Sequence, residues 1–391
     1  MITEPDPAPG QRPAATATAQ RTVADTDAVP TPRPATTADA SNRPRRRARQ
    51  FVLRSPGGAL SLRVRARALL VGVVLLLAAA AIAVVNLSSG DFPIPVADVL
   101  RSLIGQGDPG TDFIVHELRL PRALVALLVG AALGASGAVF QGLTRNPLGS
   151  PDFVGMTVGA ATGALVVILL LDGSGLQVAA GAIAGCVLTS IAIYLLAFRG
   201  GTQAFRLILM GVGVSALLEA FNSYLIVKGR LDEALAAQVW LIGSLGGRGW
   251  TEVTIVAVTL AVLLPVVLHY GRHLDMLALG DDTATLHGIR VERSRAVLAL
   301  ASVGLAAGAT AAAGPIAFVA LAAPQLAARL TRSPGPGILP AAGMGAVLLA
   351  GSDWAAQRVL PDNDIPAGVV TAAIGGLYLT WLLAREWRRG R

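Results

Sequence analysis

Residues 117–164 read ELRLPRALVALLVGAALGASGAVFQGLTRNPLGSPDFVGMTVGAATGA. From Ala123 to Gln141 there is no charge, and about half the positions are glycine, alanine or serine. About 20 mostly apolar residues cross the hydrocarbon of a bilayer as a helix, so this run predicts a span. Its small side chains predict close backbone packing against other helices, because without a hydrophobic drive in lipid it is van der Waals contact that holds spans together. Then comes NPLGSP, residues 146–151. Its two prolines fix φ and remove backbone donors, which predicts a stiff corner. A second apolar run, about 153–171, follows. Helix, corner and helix again, through a membrane, set the fold class as all-α and polytopic.

The rest of the chain repeats the pattern. Reading for apolar runs gives ten spans, at about 68–87, 123–141, 153–171, 176–198, 205–227, 253–269, 296–313, 315–330, 339–357 and 366–384. The eighth and ninth are interrupted by Pro324 and by Gly343, Gly345 and Gly351. With 53% hydrophobic and 14% charged residues over 391 positions, the composition excludes an ordinary soluble enzyme.

Charge sets the orientation. Placing the N-terminus inside puts thirteen arginines in the inner loops and C-tail, against seven basic residues on the other side. This asymmetry predicts both termini in the cytoplasm of a plasma-membrane protein. Residues 1–67 hold 12 arginines against 5 acidic residues and few large apolar ones, so they are expected to form a disordered basic cytoplasmic tail beside anionic lipid. The formal charge of +8 belongs mostly to this tail, so nothing in the body points to nucleic acid.

Several chemistries are missing from the sequence. Lys228, in IVKGR, is the only lysine, so no GxxxxGK[ST] loop exists to hold ATP. Cys186 is the only cysteine, and there is no HExxH. GASG at 134–137 could pass for an intramembrane protease signature, but no mid-span histidine accompanies it. Glu219 and Asp353 are the intramembrane carboxylates. Such residues are functional candidates by default, and a proton- or sodium-coupled carrier would use such a pair. With no basic partner evident within the spans, the plainer reading is that each bonds a neighbouring helix.

The 117–164 stretch resembles the signature of the FecCD family, the permease subunits of ABC importers for iron–siderophore complexes, haem and vitamin B12. LDMLALGDDTATLHGIRVERSR at 274–295, GPIAFVALAAP at 314–324 and DIPAGVVTAAIGGLYLTWLL at 364–383 extend the resemblance over about 69–386. Two details, PQLAARLTRSPG at 324–335 and GGLYLTWLL, lean toward the ferric-enterobactin type. Many relatives have Pro-His where this chain has Pro324-Gln325, and an arginine where Gln357 stands.

The resemblance implies a type II ABC importer permease fold of about ten transmembrane helices, a transmembrane permease domain over 68–386, and a cytoplasmic coupling loop at about 272–295. It implies a second permease subunit, an ABC ATPase dimer that binds the ATP, an extracytoplasmic siderophore-binding lipoprotein and a ferric siderophore as cargo. No cofactor or catalysis is expected of the chain itself. Arg119 and Arg122 are implied to dock the lipoprotein, a task suited to arginine's carboxylate-matching fork; lipid anchoring is the plainer alternative. Asn146, Pro147 and Leu148 are implied to lie at the cytoplasmic gate, where a rigid turn would carry the same residues. Leu277, Gly280, Asp281, Asp282, Ala284 and Gly288 are implied to couple to the ATPase. By helix chemistry alone, residues 274–292 read as two short helices around Gly280, with Asp281 and Asp282 favourable at the second N-terminus and Gly288 as its C-terminal cap. Haem or vitamin B12 import is the alternative within the family.

Overall fold

The computed structural model describes residues 50–54, 61–90, 92–151, 155–197, 204–332, 337–359 and 365–389. Gln50–Arg54 (β1) and Ser61–Arg65 (β2) pair antiparallel, Gln50 opposite Arg65 and Arg54 opposite Ser61. This hairpin falls inside the 1–67 stretch that composition predicts to be unstructured. Averaging over the tail hides the local signal, SLRVR alternating after a Ser-Pro-Gly-Gly turn sequence. Residues 1–49 lie outside the described residues.

Helices make up the rest. Ala66–Ser88 (α1) is followed by two short helices, Val96–Leu103 (α2) and Pro109–Phe113 (α3). Asp108 caps α3 by accepting the Thr111 N–H at 3.0 Å, with Pro109 in the first turn. A wider π-helical turn, Ile114–Arg119, then leads straight into Leu120–Thr144 (α4). The resulting 36-residue helix begins well before the expected Ala123. Next come Met156–Leu170 (α5), Leu176–Ala197 (α6), Ala204–Lys228 (α7), Leu231–Ile242 (α8) and Trp250–His269 (α9). Gly271–Leu279 (α10) and Asp281–Leu286 (α11) are short; Val291–Ala313 (α12), Val319–Thr331 (α13), Ile338–Val359 (α14) and Ala367–Arg389 (α15) complete the chain.

A helix stands at each of the ten expected spans, but they are not equal. Seven among the described residues are long and apolar enough to cross a membrane, and α5 and α15 provide shorter apolar stretches. The eighth span is half a span. Gly314–Phe318 is not helical, Gly314 and Phe318 have positive φ, and α13 keeps only 13 residues. At 1.5 Å per residue that is about 20 Å, short of the roughly 30 Å hydrocarbon. Non-helical backbone at such depth survives only where protein covers it. Here Ala313 and Ile316 are buried, and the Ala313 carbonyl accepts from Ser244 N–H at 3.0 Å.

The glycines of the ninth span do not break it: Gly345 lies against α4, while Gly343 and Gly351 lie beside Leu75 and Ile82 of α1. Gly130 faces Gly345, Gly134 faces Ala341 and Gly137 faces Ala320, so close that a Cβ at any of the three would run into a backbone carbonyl. Ser136 and Ser302 add reciprocal bonds between α4 and α12: Ser136 Oγ donates to the Ser302 carbonyl at 2.7 Å, and Ser302 Oγ to the Ser136 carbonyl at 3.0 Å. α4 is therefore the spine of the bundle, with Val125, Val129, Leu133 and Val139 buried among α9, α12, α13 and α14. α1 and α7 are the opposite case, with Leu69, Leu76, Leu77, Leu217 and Val227 outward-facing. Apolar residues outside and small residues inside are what lipid surroundings select.

Candidate coupling site and gate turn

α10 and α11 sit under the C-terminal end of α4. Leu274 and Leu277, one helical turn apart, are fully or nearly fully buried, and Leu274 lies against Gly142 of α4. Gly280 breaks the helix with φ 124°, and Asp281 starts the next. Gly288 ends α11 with φ 79°; its N–H reaches the Thr285 carbonyl at 2.9 Å and Ile289 N–H reaches Ala284 at 3.1 Å. These are the two bonds of a Schellman cap, which favours glycine at the left-handed position.

Asp281 does more than favour a helix terminus. Its carboxylate accepts from Arg145 Nη2 at 2.6 Å and from Arg295 Nη2 at 3.0 and 3.1 Å. Arg145 opens the turn that follows α4, and Arg295 lies in the first turns of α12. Burial works to raise the Asp281 pKa, but the hydrogen bonds and charges of Arg295 and Arg145 outweigh it and hold the carboxyl below the ordinary carboxylate value. Ala284 is wholly buried and so serves packing within the loop. Asp282 and Gly288 are exposed. The residues that present an unsatisfied apolar surface on α10–α11 are Leu279, 69% exposed, and Leu286, 88% exposed. Sequence reading passed over both, although leucine at the outer positions of an otherwise amphipathic pair was a usable signal.

The turn after α4, where the resemblance implies a gate, closes on itself. Arg145 adopts a left-handed backbone, φ 51°. Asn146 N–H bonds the Gln141 carbonyl at 3.3 Å, the Asn146 side chain accepts from Leu148 N–H at 2.9 Å, and Gly149 N–H reaches the Asn146 carbonyl at 2.9 Å. The Asx turn and the Arg145 bridge thus add to the stiffness that prolines alone were expected to give. Pro147 and Leu148 are exposed. Just above, Gln141 donates to the Leu321 carbonyl at 3.0 Å and accepts from Gln325 at 2.6 Å, tying α4 to α13.

At the other end of α4 the two implied docking arginines are already engaged. Arg119 donates to the Leu87 carbonyl at 2.8 Å and the Phe92 carbonyl at 2.7 Å, closing the end of α1. Arg122 grips Asp353 of α14, Nη2 to Oδ1 at 2.8 Å and Nε to Oδ2 at 3.2 Å. Asp353 is 1% exposed and the Arg122 side chain 24%. The expectation that Asp353 lacks a basic partner is therefore corrected: the partner comes from the outer turn of another helix, 231 residues away in sequence. Gln357 donates to Asp353 at 2.9 Å and to Asn86 of α1 at 3.4 Å, so the network joins three helices. Glu219, the other carboxylate, stands on the exposed face of α7. Among the described residues no cluster of three or more His, Cys, Asp or Glu could hold a metal.

Comparison with known proteins accords with this geometry. The ferric enterobactin transport system permease protein FepG of Escherichia coli (strain K12) is 43% identical over 304 residues, 78% of this chain and 92% of that protein. The Fe(3+)-citrate import system permease protein YfmE of Bacillus subtilis (strain 168) is 36% identical, covering 84% of this chain and 98% of its own length. A solved inward-facing metal-chelate type ABC transporter aligns with TM-score 0.73 at 28% identity, over 81% of this chain and 99% of that one. The FecCD transport family profile matches residues 66–385, from the start of α1 to the last turns of α15, and the chain belongs to that family.

Proposed function

We propose that the chain is the transmembrane permease subunit of an ABC importer that brings ferric siderophores into the cytoplasm. The observation that carries this reading is the coupling pair α10–α11: two short helices pinned to the gate-bearing end of α4, with Leu279 and Leu286 turned outward for a partner. The partner is an ATPase dimer, a reading that rests on the ABC transporter among the structural neighbours, and the chain itself has no phosphate loop. The arginine asymmetry of the loops supports placing this end, and both termini, in the cytoplasm. The substrate class rests on the ferric enterobactin and ferric citrate permeases among the relatives. A second permease, this chain or a paralogue, completes the path.

A siderophore-binding lipoprotein docks on the opposite face. Arg119 and Arg122 contribute by fixing the shape of that face, since their donors are engaged with α1 and α14. Asn146, Pro147 and Leu148 form the cytoplasmic gate.

Reconstitution tests the assignment. The complete complex in proteoliposomes should take up ferric enterobactin only with ATP, and binding protein with cargo should stimulate its ATP hydrolysis. The chain alone should transport nothing. Uptake by the chain alone, collapsing with the proton gradient, would assign it instead to the ion-coupled carriers.

A further inference from the structure

We infer that Arg145 is the positioning residue that carries movement of the coupling helices into the gate turn; this rests on the permease reading above. One guanidinium holds both sides of the α10–α11 break. Its Nε–H donates to the carbonyl of Leu277, near the C-terminus of α10, at 3.0 Å, and its Nη2 binds Asp281, the first residue of α11, at 2.6 Å. The charge suits both places, because a helix C-terminus carries partial negative charge and the aspartate a full one. The same residue occupies a left-handed backbone conformation uncommon for a side-chain-bearing residue, and its neighbour Asn146 closes the turn. Any displacement of α10–α11 therefore pulls on the first residue of that turn.

A second tie anchors α11 to another helix. Arg295 binds the other side of the Asp281 carboxylate and also Glu292, fixing α11 to the start of α12. α12 and α4 are locked to each other higher up through Ser136 and Ser302. Asp281 is thus shared between a helix end and a turn, and its two arginine contacts are partly solvent-exposed. Exposed pairs re-form easily, which suits a joint that moves in every cycle. A lysine at 145 would place one point charge and could not hold the Leu277 carbonyl and the Asp281 carboxylate as a planar fork does.

The test uses the complete transporter in proteoliposomes, with ferric enterobactin as cargo, and reads ATP hydrolysed per chelate imported. Arg145→Gln should leave complex assembly and ATP hydrolysis in place while raising that ratio by about fivefold or more, the lower range of coupling between sites. Arg145→Lys should recover part of the loss. Asp281→Asn should uncouple similarly, and the double variant should be no worse than the more affected single one. Leu286→Ala, by contrast, should weaken ATPase retention. If Arg145→Gln or Asp281→Asn assembles and keeps the wild-type ratio, or if the two effects simply multiply, the inference is overturned. Absence of ATP-driven uptake by the wild-type complex for every ferric siderophore tried would instead count against the permease reading itself.

Discussion

Two aspartates tie helices together at opposite ends of α4, each held by arginine, in very different surroundings. Asp353 is 1% exposed and is bonded to Arg122 and Gln357. The Asp281 side chain is 49% exposed and shares its carboxylate between Arg145 and Arg295. Physics assigns them different tasks. A buried pair that loses one partner leaves a charge without solvation, so the first network fixes α1, α4 and α14 as one block. An exposed pair gives up little when broken, so the second can hold helices in register and still let them shift. A transporter needs both, a block that does not give and a joint that does.

That contrast can be broken by experiment. Asp353→Ala should have the largest effect on stability, about 3 kcal/mol, toward the lower end for a broken buried pair because Arg122 keeps some access to water. Thermal unfolding in detergent reads it, and a midpoint close to wild type would place Asp353 in the same class as Asp281. Gly137→Leu comes next: the side chain must displace the Ala320 backbone, and overpacking of this kind costs about 1–3 kcal/mol. A variant as stable as wild type would mean that α4 and α13 separate easily, so that α13 is not held to the block of α1, α4 and α14. Asp281→Asn should cost under about 1 kcal/mol in the same unfolding assay, since both of its ion pairs are solvent-screened. A larger loss would make the joint part of the block.

The smallest effect concerns pH. Asp281 is held below its ordinary carboxyl value in the folded protein, so its contribution is fully present above the unfolded value of about 3.9. It is lost only as pH falls further, through the folded value. The protection of α11 amides against exchange, measured relative to the intrinsic rate at each pH, should therefore be level from neutral down to about pH 4 and fall below it, and in Asp281→Asn this fall should be absent. An α11 that loosens near pH 6 in the wild type would show that another group holds it.

How far the sequence reached differs between these regions. The two helices around Gly280 and the glycine cap at 288 were legible, because turn chemistry is local. The burial of Ala284 was not, because it depends on what packs across the loop; the exposed apolar positions are Leu279 and Leu286. The docking reading of Arg119 and Arg122 failed to anticipate their internal partners for the same reason, since Leu87 and Asp353 are 32 and 231 residues away. Gln325 and Gln357 appeared in the sequence only as departures from the family pattern. Each turns out to complete a hydrogen bond between helices, to Gln141 and to Asn86 with Asp353.

By itself the sequence determined the membrane character, the place of each spanning helix and the family motifs, because apolar length and loop charge act through the immediate solvent and need no partner. Only the tertiary structure decided that the eighth span is broken, that α2 and α8 are helices, and which charges meet. Those depend on what lies across the gap, and a side chain's partner in space is not written beside it in the chain.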